Sequence, residues 1–269
     1  MKRLCILLIA PILILTACSR NELERPSYSQ PKAEIHTFEI PAWLLEMPEG
    51  DFSIGISYAE PPTSAQSQDY GKDFAAIALS RNHSSYIVDK YSVMSLAAQT
   101  DDNYRAASFN LVVSQDLDYL RSAAQNLKKI SSFNSNGYWL SVYGFEDVAL
   151  DSSMVCCDNT EVTPAWARSS GVSLDNGTIY SVGSSRQATL MDAFNASHEM
   201  ALRYVGQHLV RNVVDIMRTE NDLMQRSSAF ETVIQSPSLC FDKVWIRRYV
   251  IDGSSSFEVF IRIKERKTD

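Results

Sequence analysis

Apolar positions along this chain follow two periods, and the switches between them outline the elements. Residues 52–57 form a short apolar run ending in a Pro, Ser and Gln-rich loop. Phe74, Ile77, Ala78, Arg81, Ser85, Val88, Tyr91 and Met94 then keep helical spacing and predict a helix over 72–99, its stripe weakened at Arg81 and Ser85. Phe109, Leu111 and Val113 alternate and predict a strand over 108–114. Leu117, Leu120, Ala124 and Leu127 align along a helix over 117–130, and 138–143 reads as a strand. The pattern then starts again. A strand is expected over 178–182 and a long helix over 188–219, with Ala193, Ser197, Met200, Ala201, Tyr204, Val205, Leu209, Val213 and Ile216 as its buried stripe. A strand over 229–235 precedes a hairpin of 243–251 and 257–264, joined through Asp252-Gly253-Ser254-Ser255-Ser256. In its last strand Phe257, Val259, Ile261 and Ile263 alternate with Glu258, Arg262 and Lys264, which predicts one buried face and one wet face.

The restart is legible residue by residue. Pro41-Ala42-Trp43 returns as Pro164-Ala165-Trp166, and Phe52-Ser53-Ile54-Gly55 as Tyr180-Ser181-Val182-Gly183. Ala75, Ala78 and Tyr86-Ile87 answer Ala193, Ala196 and Tyr204-Val205. Phe109 with Val112-Val113 answers Phe230 with Val233-Ile234, and Trp139…Tyr143 answers Trp245…Tyr249. Ordered self-similarity with insertions between blocks is the mark of a duplicated module. The expected class is α+β: a tandem duplication of a unit with one long helix packed on a small antiparallel sheet, the copies related by a pseudo-twofold axis. Residues 41–152 make the first unit, 153–163 the linker and 164–269 the second.

The N-terminus supplies an address. Lys2 and Arg3 precede an apolar run from Leu4 to Leu15, too short to cross a hydrocarbon core of about 30 Å. A basic start, a short apolar stretch and a small-residue exit describe an export signal over residues 1–17. The exit, Leu15-Thr16-Ala17-Cys18, is similar to a bacterial lipobox, which implies thioether lipidation of Cys18. Two or more acyl chains hold a protein at a membrane where one does not. Ser19, in place of the aspartate that signals inner-membrane retention, implies the outer membrane. Residues 18–40 carry charge, Pro and Ser without apolar periodicity and read as a flexible tether, its ends roughly 26 Å apart by coil statistics.

Composition narrows the partners. A hydrophobic content of 45% suits a packed body. The net charge is −7, and loss of Lys2 and Arg3 with the signal makes the body more acidic still, which argues against nucleic acid and against adsorption to anionic lipid. Beyond Cys18, the cysteines are Cys156, Cys157 and Cys240. Cys240 with Cys157 is the candidate disulfide in an oxidising compartment; a reduced, packed trio is the alternative.

Patterns of chemistry are weak. His198-Glu199 opens a zincin-like stretch, but Leu202 stands where the second histidine belongs. His208 is ten residues on, which at about 100° per residue turns its ring away from His198. His36 and His83 have no evident partners and read as solvated. Cys156-Cys157 lacks the two intervening residues and following helix of a redox pair. The loops after Gly55 and Gly183 lack the further glycines and lysine of a phosphate cradle, so these glycines read as points of close backbone approach. Trp43 and Trp166, each fixed in direction by the preceding Pro-Ala, read as core caps. No G-x-S-x-G elbow is present. The Asn-x-Ser/Thr triplets at Asn82, Asn176 and Asn195 read as chance matches. No metal, cofactor or catalytic residue is expected.

The run of Pro-x-Trp, an aromatic-Ser-hydrophobic-Gly strand and an alanine-spaced helix behind a lipobox resembles the twenty-kilodalton antigenic lipoprotein family of bacterial outer membranes. That family includes flagellum-associated lipoproteins. The second copy carries the resemblance best, at Pro164, Trp166, Tyr180, Val182, Gly183, Ala193 and Ala196. The first matches at Pro41, Trp43, Ile54, Gly55 and Ala75 and departs through its long loop and added helix. The resemblance implies an α+β fold and a non-catalytic role in envelope or motility-apparatus assembly, through a protein partner or self-association. A ligand-binding or enzymatic protein using a cleft between the repeats, and a surface adhesin or antigen, are the alternatives.

Overall fold

The computed structural model describes residues 34–59, 67–83, 85–92, 111–156, 163–220 and 229–267. The chain runs through β1 (Glu34–His36), β2 (Glu39–Pro41), a 3₁₀ turn (Ala42–Leu44), β3 (Phe52–Tyr58), α1 (Ser67–His83), β4 (Ser85–Ser92) and β5 (Leu111–Gln115). Then come α2 (Leu117–Asn126), β6 (Lys128–Ser135), β7 (Tyr138–Gly144) and β8 (Met154–Cys156). A second 3₁₀ turn (Ala165–Ala167) opens β9 (Gly171–Asp175), β10 (Thr178–Gln187), α3 (Leu190–Glu220), β11 (Ala229–Gln235), β12 (Leu239–Ile251) and β13 (Ser254–Glu265). The mixed α+β class of the sequence reading is present, with antiparallel pairing throughout these ladders.

Both halves use one strand order. A strand, β3 or β10, precedes the helix, and a later hairpin, β6–β7 or β12–β13, returns so that its second strand pairs with the first. The hairpins turn on Asn136-Gly137 and Asp252-Gly253, and β9 turns into β10 on Asn176-Gly177. All six residues have positive φ, the geometry of a two-residue turn whose twist matches the strands it joins. This order corrects one pairing of the sequence reading: β7 corresponds to β13 and β6 to β12, so Trp139 on β7 is not the structural counterpart of Trp245 on β12.

The helix expected over 72–99 stops at His83, and Ser85–Ser92 is a strand. Tyr86-Ile87-Val88 and Tyr91 are aromatic or β-branched and favour extended backbone, and β4 gains ladder partners on both sides. The helix expected over 117–130 likewise ends at Asn126. Asp116 caps its start by accepting from the amides of Asp118 and Tyr119, both at 3.0 Å. The Asn136-Gly137 turn draws the residues after Leu127 into β6. The tether expected over 18–40 ends early, because β1 pairs onto β12 and β2 onto β8. Phe38 and Ile40 there are buried apolar anchors.

The three-stranded sheet β11–β4–β5 is shared between the halves. Val88 of β4 pairs with Val112 of β5 on one side and Val233 of β11 on the other. Ile87 pairs likewise with Val113 and Ile234. Val112-Val113 and Val233-Ile234 are segments that the sequence reading set against each other. One apolar core joins Ile54, Ile56, Leu140 and Val142 of the first half to Phe194, Leu202, Val259, Ile261 and Ile263 of the second. Residues Ala33–Asp269 form one compact unit.

In each half the helix lies hard on the glycine of its strand. A Cβ on Gly55 would collide with the Gly71 carbonyl oxygen of α1 and the Tyr143 ring. One on Gly183 would collide with the Ser197 carbonyl oxygen and the Ala201 nitrogen of α3. Gly183→Ala should therefore cost about 3 kcal/mol or more by forcing helix and sheet apart. Gly177→Ala, with open space around it but a φ of +79°, should cost only about 1 kcal/mol. Urea unfolding midpoints of the two variants check the difference.

Candidate functional site

The repeated Pro-Ala-Trp segments fold alike locally. Pro41 and Pro164 hold extended dihedrals ahead of a 3₁₀ turn, closed by Leu45 N–H on the Ala42 carbonyl at 2.9 Å and Arg168 N–H on the Ala165 carbonyl at 3.5 Å. Their surroundings differ. Trp43 is 2% exposed within the shared core, with its backbone amide donating to Asp151 O at 3.1 Å. Trp166 is half-buried, its ring 5.8 Å from the Arg262 guanidinium, which also sits 5.1 Å from the Tyr180 ring. Core capping thus describes Trp43. Trp166 instead joins an arginine–aromatic stack on the second face of the five-stranded sheet.

That face continues as a ladder. Arg186 lies 3.9 Å from the Tyr249 ring, and the Tyr249 hydroxyl donates to Glu258 at 2.6 Å. Arg247 approaches Glu258 at 3.8 Å and donates to the Thr163 hydroxyl at 3.0 Å, which ties the incoming linker to the sheet. The face that alternation predicted to be wet is therefore half-buried.

Charged contacts also fasten the first half to the end of the second. A register shift beside Asp242 in β12 bulges the strand, and the Asp242 carbonyl accepts from Met47 N–H at 3.0 Å. The Asp242 carboxylate meets Arg262, and Lys264 meets Glu49. Arg266 donates to Asp51 at 2.6 Å, and the Tyr119 hydroxyl donates to the same Asp51 oxygen at 3.3 Å. Burial first, then the Asp51 charge, pushes the Tyr119 hydroxyl well above its ordinary pKa, so it stays protonated as a donor. His83, expected to be solvated, stacks on Tyr119 with centroids 3.7 Å apart. His36, also read as unpartnered, lies 3.6 Å from Glu34.

His198 on α3 is fully buried where α3 meets α1. Its Nε2–H donates to Asn82 Oδ1 of α1 at 2.7 Å, and its ring lies 4.8 Å from Phe241 and 6.5 Å from Phe194. Its Nδ1 and the Asn82 Nδ2 have no partner among the described residues. Burial, with a smaller push from Arg81, lowers the His198 pKa to about 3. The ring is a neutral bridge between the halves, beside the Phe74–Phe194 contact at 5.4 Å.

Sequence reasoning did not find Asn82, Asp51, Tyr119 or Arg266, whose partners lie far away in sequence. The signal available for Asn82 was a polar residue within a buried helical stripe. Cys240 is a buried free thiol whose pKa burial raises to about 11. Cys157, its candidate partner, lies outside the described residues, as does Cys18. No protein-family model, curated protein or solved structure matches the chain.

Neutral His198 binds fewer protons than an unfolded imidazole between about pH 6.5 and 3, so its contribution is whole above pH 6.5 and falls away as pH drops through that window. From pH 7 to 5 the wild type should lose about 2 kcal/mol relative to the double variant His198→Leu/Asn82→Leu. Paired denaturant curves at the two pH values read this out.

Proposed function

We propose that this chain is a bacterial outer-membrane lipoprotein, anchored through acylated Cys18. Its duplicated α+β body has a non-catalytic role, binding envelope proteins or assembling laterally. The observation that carries the reading is Leu15-Thr16-Ala17-Cys18 behind a basic start and a short apolar run. Support from the body is of a different kind. The residues that could suggest chemistry are engaged in holding the halves together: His198 with Asn82, Asp51 with Arg266, and Glu49 with Lys264. Phe74, Phe194 and Phe241 pack at the junction where a ligand cleft between repeats would have to open, which favours the interaction role over the ligand-binding one.

Duplication of one module is part of this proposal. Its support is the common strand order, the helix-covered glycines Gly55 and Gly183, and the matching register of β5 and β11 on β4. A twofold axis along β4 would exchange β5 with β11. Likeness to the twenty-kilodalton antigenic lipoproteins points to assembly of the envelope or of the motility apparatus.

Mass spectrometry of the mature protein should show acyl chains on Cys18 and none in Cys18→Ser, which should leave the membrane fraction. Cross-linked capture from detergent-solubilised envelopes should recover protein partners or further copies of this chain. Recovery of a small metabolite without protein would replace the reading with the ligand-binding one, and protease sensitivity on intact cells would point to the surface-exposed one.

A further inference from the structure

The five-stranded sheet ends in β9, which pairs inward with β10 without a register break from Asp175↔Thr178 to Gly171↔Val182. Among the described residues no strand pairs with its outer edge. An open ladder edge is a template for another chain, and proteins commonly guard such edges with charge, bulges or brevity. Two other edges here are guarded. β1 has three residues and is bounded by Glu34 and His36. β6 begins with Lys128 and Lys129 and carries a register shift before Ser131. β9 is guarded less: its one charge, Asp175, stands at the end of the strand, Gly171-Val172-Ser173-Leu174 is uncharged and unbulged, and Leu174 is 60% exposed.

We propose that two copies of this chain join through β9, antiparallel about Ser173, so that one sheet runs through both protomers. This rests on the envelope-lipoprotein reading and names a partner for its lateral assembly. The strand is self-complementary in that register. Ser173 faces its own copy, Val172 faces Leu174 of the second copy, and Asp175 faces Gly171, so no like charges meet. Val172 and Leu174 point to the same side of the sheet, because strand neighbours two apart share a face. The pairing therefore gathers four apolar side chains across the joint. A strand of five residues buries less than the roughly 1,200–2,000 Å² of a stable free-standing interface. The anchored bodies, more acidic than the −7 of the whole chain, also repel at long range. Both facts make the contact dependent on confinement: anchored copies in one leaflet have a raised effective concentration, which lets a small interface assemble them.

The test is disulfide trapping in the full-length chain, expressed in the envelope of a diderm host with Cys156 and Cys157 replaced by serine. Facing residues of an antiparallel pair lie about 4.5–5.5 Å apart, within reach of a disulfide. Ser173→Cys should give a covalent dimer on mild oxidation. Asp175→Cys should not, because four residues of strand set it roughly 14 Å from its twin. Adding Leu174→Lys to Ser173→Cys should reduce the dimer at least tenfold. Absence of the Ser173→Cys dimer, equal trapping at position 175, or indifference to Leu174→Lys would overturn the proposal. The mass of Cys18 from the same membranes separates the two readings. Acylated but untrapped protein defeats the β9 contact alone, unacylated protein that is still trapped defeats the anchor and the contact's dependence on it, and unacylated, untrapped protein defeats both.

Discussion

The backbone of α3 lies against β10 where Gly183 has no side chain, and the rest of the second half is set from that contact. The approach brings the Ser181 hydroxyl 2.7 Å from the Ala201 carbonyl and the Ser197 hydroxyl 2.7 Å from the Val259 carbonyl. Buried hydroxyls are satisfied across the layer, and the helix is locked in register over two strands. With α3 at that height, Phe194 and Leu202 reach the apolar faces of β12 and β13, and His198 reaches α1. A methyl group at position 183 would remove the approach and, with it, the geometry of the junction.

The first half repeats this device with a different outcome. Gly55 receives α1 at Gly71, and the helix ends after 17 residues where α3 continues for 31. The chain after α1 becomes β4, and β4 is the strand on which β5 and β11 meet. The halves are thus joined by a shared sheet, a common apolar core and a buried His198–Asn82 bridge. Polar groups in such a junction are costly unless matched, and the burial that keeps His198 neutral makes the junction sensitive to acid.

Local chemistry explains which elements were legible. The strand expected over 229–235 is β11 residue for residue, and the alternation of Phe257, Val259, Ile261 and Ile263 places all four in the core. Asn136-Gly137 was a readable turn signal, and following it would have recovered β6 from the end of the expected α2. The stretch after His83 was ambiguous, because Ser85, Val88, Tyr91 and Met94 keep helical spacing while Tyr86-Ile87-Val88 favour extension. Ladder partners settle such a conflict, and both flanking partners of β4 lie outside its own window of sequence.

Sequence alone determined the α+β class, the tight glycines and the acidic character of the chain, because each rests on residue type and short-range spacing. Tertiary structure alone decided that Trp43 is enclosed while Trp166 stacks under Arg262, that Asn82 faces His198, and that matching strands of both halves flank one strand. Those outcomes depend on which distant surfaces meet, and segments with equal local preferences are free to meet different ones.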